Sequence, residues 1–276
     1  MPWELAYGSV TGREHVHGLR NNQDAFAVEQ SPYGIVAIVC DGCSSGAHSE
    51  VGAQLGARLI CAELVDALPG CLSPSISGLL ERARMNVLAQ LRCLANGMGG
   101  SFSQAINDYF LFTVQAFIVT DLLTYVVGIG DGVFAINGEV TTLGPFAGNA
   151  PPYLGYALTG STLIDQDPRQ LAFTEHAVVL TRAVHSVLIG TDGVADLVSV
   201  ADHPLPGRGD TVGPLSQFWE NDRFFTGNPF LVGRRLNQIN PAQPAVRVRM
   251  DGGIDRHEGL LPDDTTLVVV RRGSGV

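Results

Sequence analysis

Short β-branched runs that stop at an aspartate constrain this chain more than any other feature. Ile35-Val36-Ala37-Ile38-Val39-Cys40 ends at Asp41-Gly42, Tyr125-Val126-Val127-Gly128-Ile129-Gly130 at Asp131-Gly132, and Val187-Leu188-Ile189-Gly190-Thr191 at Asp192-Gly193. Near the C-terminus the order inverts, and Asp263-Asp264 precede Thr265-Thr266-Leu267-Val268-Val269-Val270. Apolar runs of this length read as buried strands. Carboxylates at the ends of several such strands converge on one edge of a sheet core. There they repel one another unless a cation lies between them, so the pattern points to a hard divalent metal site.

A length of 276 residues allows one large or two small domains, and no internal repeat or linker-like break divides it. The expectation is one domain over 1–276. With 45% hydrophobic and 16% charged residues the chain can build a sizeable core. Its 27 acidic and 17 basic residues give a net charge of −10, which argues against binding to nucleic acid or to anionic membranes. A phosphorylated substrate stays compatible, because bound cations invert the local field. Five cysteines, mostly inside apolar stretches, fit a reduced, cytoplasmic chain. Cys40-Asp41-Gly42-Cys43 lacks the second cysteine pair or spaced histidine that zinc needs. The N-terminus has no signal-peptide pattern, and no run reaches the roughly 20 apolar residues of a spanning helix.

Along the chain, strands are expected at 4–11 and 24–29 around the polar segment Gly12 to Gln23, and at 34–40. A helix follows from Ser49 to about Leu68, where Val51, Leu55, Leu59 and Ala62 recur at helical spacing, with Ser49 as its N-cap. After a break at Pro69 to Pro74, a second helix runs from Ile76 to about Leu94. Strands are expected at 110–120, 122–129 and 133–136, and Asn137-Gly138 marks a hairpin into 139–143. The Pro/Gly-rich stretch 144–175 reads as a mobile surface flap. A strand pair near 176–181 and 185–191, helical pieces after Asp192, near 214–220 and near 229–239, and a last strand at 265–271 complete the order. Met250-Asp251-Gly252-Gly253 reads as a plain hairpin turn. Regular β-α alternation is missing, so the fold class is an α/β sandwich (α+β), mainly antiparallel sheets covered by helices.

Taken in order, Asn22-Gln23-Asp24-Ala25-Phe26, Val39-Cys40-Asp41-Gly42-Cys43-Ser44-Ser45-Gly46, Gly130-Asp131-Gly132, Gly190-Thr191-Asp192-Gly193 and Asp263-Asp264-Thr265-Thr266 resemble a known family. It is that of the metal-dependent protein phosphatases, the PPM or type 2C Ser/Thr phosphatases, and above all its bacterial branch. The resemblance spans residues 5 to 272. It implies two antiparallel sheets flanked by helix pairs and two Mg²⁺ or Mn²⁺ ions bridged by a carboxylate and a water. Asp41 would bridge both ions, the Gly42 carbonyl would bind the second, and Asp192 and Asp263 would hold the first. Asp131 would serve a third, weaker site, and Asp24 would orient metal-bound waters. No Ser or Cys nucleophile is required, because a metal-activated water attacks phosphorus.

Some positions depart from the family's pattern. Gln23 stands where many members carry a glutamate, which predicts weaker binding of the second ion or a preference for Mn²⁺. Cys43 stands where animal relatives have a histidine, and His15, His17 and His48 are the nearby alternatives for polar work or plain surface roles. The phosphate-binding arginine falls to Arg20, one residue closer to the acidic motif than usual, with Arg13 its rival. Asp264 is expected to support its loop. The leading functional expectation is a phosphatase acting on phosphoserine or phosphothreonine in proteins, with a phosphoprotein substrate and a cognate Ser/Thr kinase as partners. The alternatives are a phosphoprotein-binding or regulatory module of weak activity, which Gln23 favours, and an Asp-rich metal nuclease, which the acidic balance disfavours.

Overall fold

Antiparallel pairing of the apolar runs builds two five-stranded sheets in the computed structural model, which describes residues 3–70, 75–159, 168–249, 251 and 253–273. The chain opens with β1 (Trp3–Val10), α1 (Arg13–His17), β2 (Asp24–Ser31) and β3 (Gly34–Asp41). Helices α2 (Ser49–Ala67), α3 (Ser77–Gly97) and α4 (Phe102–Tyr109) follow. Next come β4 (Val114–Val119), β5 (Leu123–Ile129), β6 (Gly132–Ile136), β7 (Glu139–Leu143), the short α5 (Tyr156–Thr159), β8 (Thr174–Leu180) and β9 (Ser186–Gly190). The rest comprises α6 (Gly193–Ser199), α7 (Gln217–Glu220), α8 (Leu231–Ile239), β10 (Ala245–Val248), β11 (Ile254–His257) and β12 (Thr265–Arg272). The first sheet has the order β1-β12-β9-β6-β7 and the second β2-β3-β4-β5-β8, while β10 and β11 form a separate ribbon.

The central runs are apolar throughout because both of their faces are buried. In β3, Ile35, Ala37 and Val39 meet the other sheet, while Val36, Ile38 and Cys40 pack under α2 and α3. In β12, Val268 and Val270 face the inter-sheet core, whereas Leu267 and Val269 pack toward α6 and α8. The result is four layers, helices outside and two sheets inside, in agreement with the expected sandwich. Among the described residues, no helix is long and apolar enough to cross a membrane.

Helix α2 forms where its spacing predicts, but it buries a different face. Gly52, Ala53, Gly56, Ala57, Ile60, Cys61 and Leu64 are buried, whereas Val51 is exposed and Leu55 and Leu59 are only half-buried. Small residues win because the helix lies very close to its neighbours. A Cβ on Gly52 would overlap the Tyr109 carbonyl oxygen, and one on Gly56 would overlap the Phe112 ring. Ser49 is also not the cap: His48 holds that position, and the Ser49 hydroxyl instead accepts from Gln23 Nε2 at 2.8 Å.

Other expectations shift as well. The strand expected at 110–120 starts only at Val114, because α4 ends at Tyr109 and Thr113 N donates to the Asp41 carbonyl at 2.8 Å. Helix α4 was not expected from the sequence: Ser101 caps it by accepting from Gln104 N, but only Ala105 and Ile106 are buried on it. The polar segment after Gly12 contains α1, too short for a periodic signal. Strands β8 and β9 belong to different sheets. Within 144–175, residues 151–155 are buried, with Tyr153 and Leu154 in the core, and so are not surface; residues 160–167 lie outside the described residues. The β10–β11 ribbon is the hairpin expected around Asp251, whose carboxylate accepts from Gly253 N; Met250 and Gly252 lie outside the described residues, as do 71–74 of the helix break.

The close seat of α2 makes a sharp prediction. Gly52→Ala should destabilise the fold by about 2 kcal/mol or more through overpacking. Gly78→Ala, whose new methyl meets nothing within 4 Å, should be neutral or stabilising by about 0.5–1 kcal/mol. Thermal unfolding of the two variants beside wild type checks the contrast, and equal midpoints for both would refute it.

Candidate functional site

Strand parity delivers the first two carboxylates. Asp41 follows Ile35, Ala37 and Val39 in phase, so it points to the inter-sheet side at the end of β3, beyond the apolar core. Its register partner on β2 is Asp24. Asp24 Oδ2 accepts from Thr191 Oγ1 at 2.7 Å, and Thr191 Oγ1 accepts from Thr266 N at 3.1 Å. Thr266 Oγ1 donates to Ser9 Oγ at 2.7 Å. This polar chain joins the ends of β2, β9, β12 and β1, and it closes the apolar core beneath the carboxylates.

The chain crosses from one sheet to the other at Gly130-Asp131-Gly132. Gly130 has φ +92° and Gly132 φ +142°, values that a side chain rarely adopts, and neither position has room for a Cβ. Buried Gln115 supports the crossing from below, donating through Nε2 to the Asp131 carbonyl at 3.1 Å. Asp192 comes from the β9–α6 junction, where its carbonyl accepts from Ala195 N at 2.7 Å. Asp263 and Asp264 come from the loop before β12. Asp264 is buried and accepts from Gly12 N at 2.6 Å, from Gln23 N, and from His15 Nδ1 at 2.8 Å. It therefore ties together α1, the polar segment before β2, and its own loop, which is the supporting role the sequence suggested.

Gln23, Asp41, Gly42, Asp131, Asp192 and Asp263 line one cleft, together with Ser44, Pro151 and Tyr153. The cleft has a cavity volume of about 30 Å³. Asp24 lies beneath that lining. Arg20 stands beside it, donating through Nη2 to the carbonyl of Ser44 at 2.6 Å. Arg13 turns elsewhere, toward the Gly259 carbonyl at 3.1 Å. His17 and His48 are exposed and away from the lining, His48 against the Tyr109 ring. Sequence reasoning missed Ser44, Tyr153, Pro151 and Gln115. The one available signal was the apolar Pro151-Pro152-Tyr153-Leu154 inside the Pro/Gly-rich stretch.

Crowded acids in a buried site resist ionisation. Burial pushes the Asp41 carboxyl well above the usual range, and Asp24, Asp192, Asp263 and Asp131 push it further. Asp192 is pushed up to about 7, first by burial and then by Asp263 and Asp131. Asp131 and Asp263 are raised by burial too. The hydrogen bond to Asp264 raises the His15 imidazole. Two oxygens in the cleft lining, Gln23 Oε1 and Asp131 Oδ1, are buried without any hydrogen-bond partner. Cys40, Cys43, Cys61 and Cys93 are free thiols, and Cys43 Sγ lies 3.1 Å from Ser45 Oγ.

Solved structures share this fold at low identity. A bacterial serine phosphatase aligns with TM-score 0.53 and 13% identity, covering 100% of each chain. Serine/threonine phosphatase Stp1 from Staphylococcus aureus aligns with TM-score 0.53 and 13% identity, over 99% of this chain and 96% of its own. The Mycobacterium tuberculosis serine/threonine phosphatase PstP/Ppp gives TM-score 0.50 and 15% identity, over 98% and 99%. No curated protein matches the chain in sequence. The family model described as Protein phosphatase 2C matches residues 11–221, which hold Gln23, Asp24, Asp41, Asp131 and Asp192 but stop short of Asp263. With well over half of its length inside that match, the chain belongs to the protein phosphatase 2C family of phosphoprotein phosphatases.

Proposed function

We propose that this phosphatase hydrolyses phosphoserine and phosphothreonine monoesters in proteins, using two Mg²⁺ or Mn²⁺ ions in the acidic cleft and a third held more weakly. The observation that carries this reading is the cleft itself: four aspartates converge with no basic side chain among the described residues of the lining, and two buried oxygens there, Gln23 Oε1 and Asp131 Oδ1, have no partner among the described residues. Buried polar atoms without partners are costly and rare. An all-oxygen donor set of this kind suits hard divalent cations. The likeness to the two serine/threonine phosphatases supports the substrate class. A phosphoprotein substrate in turn requires a Ser/Thr kinase that makes it.

Asp41 would hold both ions and the Gly42 carbonyl the second, with Asp192 and Asp263 on the first, the Gln23 amide oxygen toward the second, and Asp131 on the third. Bound there, the ions supply a polarised phosphoryl oxygen and a water acidic enough to attack at neutral pH. The chain's own residues do the rest. Asp24, fixed by Thr191, offers a carboxylate beneath the cleft that orients water. Asp264 keeps the backbone of Gln23 and the Asp263 loop at a fixed separation. Arg20 is the phosphate-binding candidate that its position beside Ser44 favours, whereas Arg13 points to another cleft. Gln23 uses Nε2 on Ser49 and leaves Oε1 for the cleft.

Asp192→Asn should cut Mn²⁺-dependent hydrolysis of an aryl phosphate by at least about a hundredfold while the thermal midpoint stays near wild type. Near-normal activity in a metal-purified mutant would reject the assignment, and wild-type turnover that survives a chelator would reject metal dependence. Gln23→Glu should tighten the metal dependence of activity, because a charge replaces a dipole; an unchanged titration curve would show that this side chain does not meet the second ion.

A pH effect follows from the raised carboxyls. An acid whose folded pKa exceeds its unfolded value of about 3.9 stabilises the fold fully below that value and loses the contribution as pH rises through the folded pKa. For Asp192 that window ends near 7. The chelated protein should therefore lose thermal stability from pH 5 to pH 8, and Asp192→Asn should flatten the slope. Added Mn²⁺ should restore more stability at pH 8 than at pH 5. A midpoint that rises with pH in chelator would contradict the proposed crowding.

A further inference from the structure

A second cleft on the same molecule has the opposite charge. It is lined by Arg13, Arg208, Arg247, His203 and His257, with Glu258 the only acid among the described residues of the lining, and its volume is about 370 Å³. That is large enough for a phosphorylated side chain. The chain contains no lysine, and its 17 basic residues are all arginine in a protein of net charge −10. Three of them stand around this one opening. Among the described residues, no carboxylate forms an ion pair with Arg13, Arg208 or Arg247, whereas Arg249, Arg271 and Arg84 all have such partners. Glu258 reaches only His17, at 3.9 Å. His257 Nε2 is buried and has no hydrogen-bond partner.

The walls are built, not loose. The turn that presents Arg208 is closed by Leu205 N donating to the Asp210 carbonyl at 2.7 Å and Val212 N to the His203 carbonyl at 2.9 Å. Gly207 takes φ +69° there, and its face lies against Ala245 and His257. Across the opening, Arg13 Nη1 is fixed on the Gly259 carbonyl at 3.1 Å. Guanidinium groups without carboxylate partners suit an oxyanion that accepts several charge-assisted hydrogen bonds.

The cleft is also within reach of the acidic site. Gly259 and Leu260 line it, and Asp263 lies only four residues beyond Gly259 in sequence. Four extended residues span at most about 14 Å, so the linings of the two clefts, at Gly259 and at Asp263, approach within that distance.

We propose that this arginine cleft docks a second phosphate group carried by the protein substrate, a few residues from the phosphate being hydrolysed. The proposal rests on the phosphatase reading for its substrate but on different residues for its binding. Its test uses Arg208→Ala, Arg247→Ala and the double variant, all remote from the acidic cleft, in the full chain with Mn²⁺. Synthetic peptides would carry one phosphoserine, or two phosphoserines separated by three or four residues.

Wild type should prefer the doubly phosphorylated peptides by tenfold or more in kcat/KM. The double variant should lose that preference while keeping wild-type turnover of an aryl phosphate. Equal turnover of singly and doubly phosphorylated peptides by wild type, or a preference that survives the double substitution, overturns the proposal. Fluorescence anisotropy of the labelled peptides in chelator separates the two readings. Arginine-dependent binding without any Mn²⁺-dependent hydrolysis would sink the proposed activity and leave the docking site standing. If inorganic phosphate at equal concentration displaces the doubly phosphorylated peptide as well as the unlabelled peptide does, the cleft is a free-anion site and substrate docking is rejected.

Discussion

The two-sided burial of the central strands is the constraint from which the remaining architecture follows. A strand with apolar residues on both faces needs a sheet on one side and helices on the other, and the two sheets here supply that for each other. Side-chain alternation then fixes what stands at the strand ends. Once Ile35, Ala37 and Val39 are committed to the inter-sheet core, Asp41 must fall on the same side, where the core gives out. A register slip of one residue would turn Asp41 toward α2 and empty the core at once, so packing energy holds the carboxylate in place.

Packing alone would leave several carboxylates at the mouth of an apolar sandwich, which is electrostatically unfavourable. Neutral hydroxyls and amides mediate the transition. Thr191 serves Asp24 and Thr266 N together, and Gln115 holds the crossing backbone at Asp131 without adding charge. Asp264 takes the backbone donors of Gly12 and Gln23 and the imidazole of His15. Asp24 and Asp264 commit oxygens to bonds with the protein, whereas Asp131 in the cleft lining combines a raised proton affinity with a partnerless oxygen.

The strand order and the acidic cleft were largely legible in the sequence, because each apolar run announces its strand and each Asp-Gly its end. What could not be read there depends on contacts between distant segments. The buried face of α2 is set by Tyr109 and Phe112, which demand glycine, and the helix's own Val51-Leu55-Leu59 pattern pointed to the wrong stripe. Five-residue α1 carries too little periodicity to announce itself, yet its N-terminus is one of the groups that hold Asp264. Tyr153 and Ser44 reach the cleft through loops, whose course no periodicity encodes. The choice between Arg20 and Arg13 was open at fixed spacing and narrows only when the structure sends one guanidinium to Ser44 and the other to Gly259.

Charge placement extends the same logic beyond one site. A protein of net charge −10 repels phosphorylated partners at long range, and an acidic cleft repels them again at short range unless cations fill it. Arginines paired with acids, such as Arg271 with Glu4 and Asp222, cannot offset this, because their charge is already spent within the fold. Unpaired guanidinium groups can. Those of Arg13, Arg208 and Arg247 sit where the loop leading to Asp263 begins, so the same stretch of chain borders the basic cleft at one end and supplies a carboxylate to the acidic cleft at the other. A phosphate captured at the first is thereby held close to the second, which converts a weak long-range encounter into a local one.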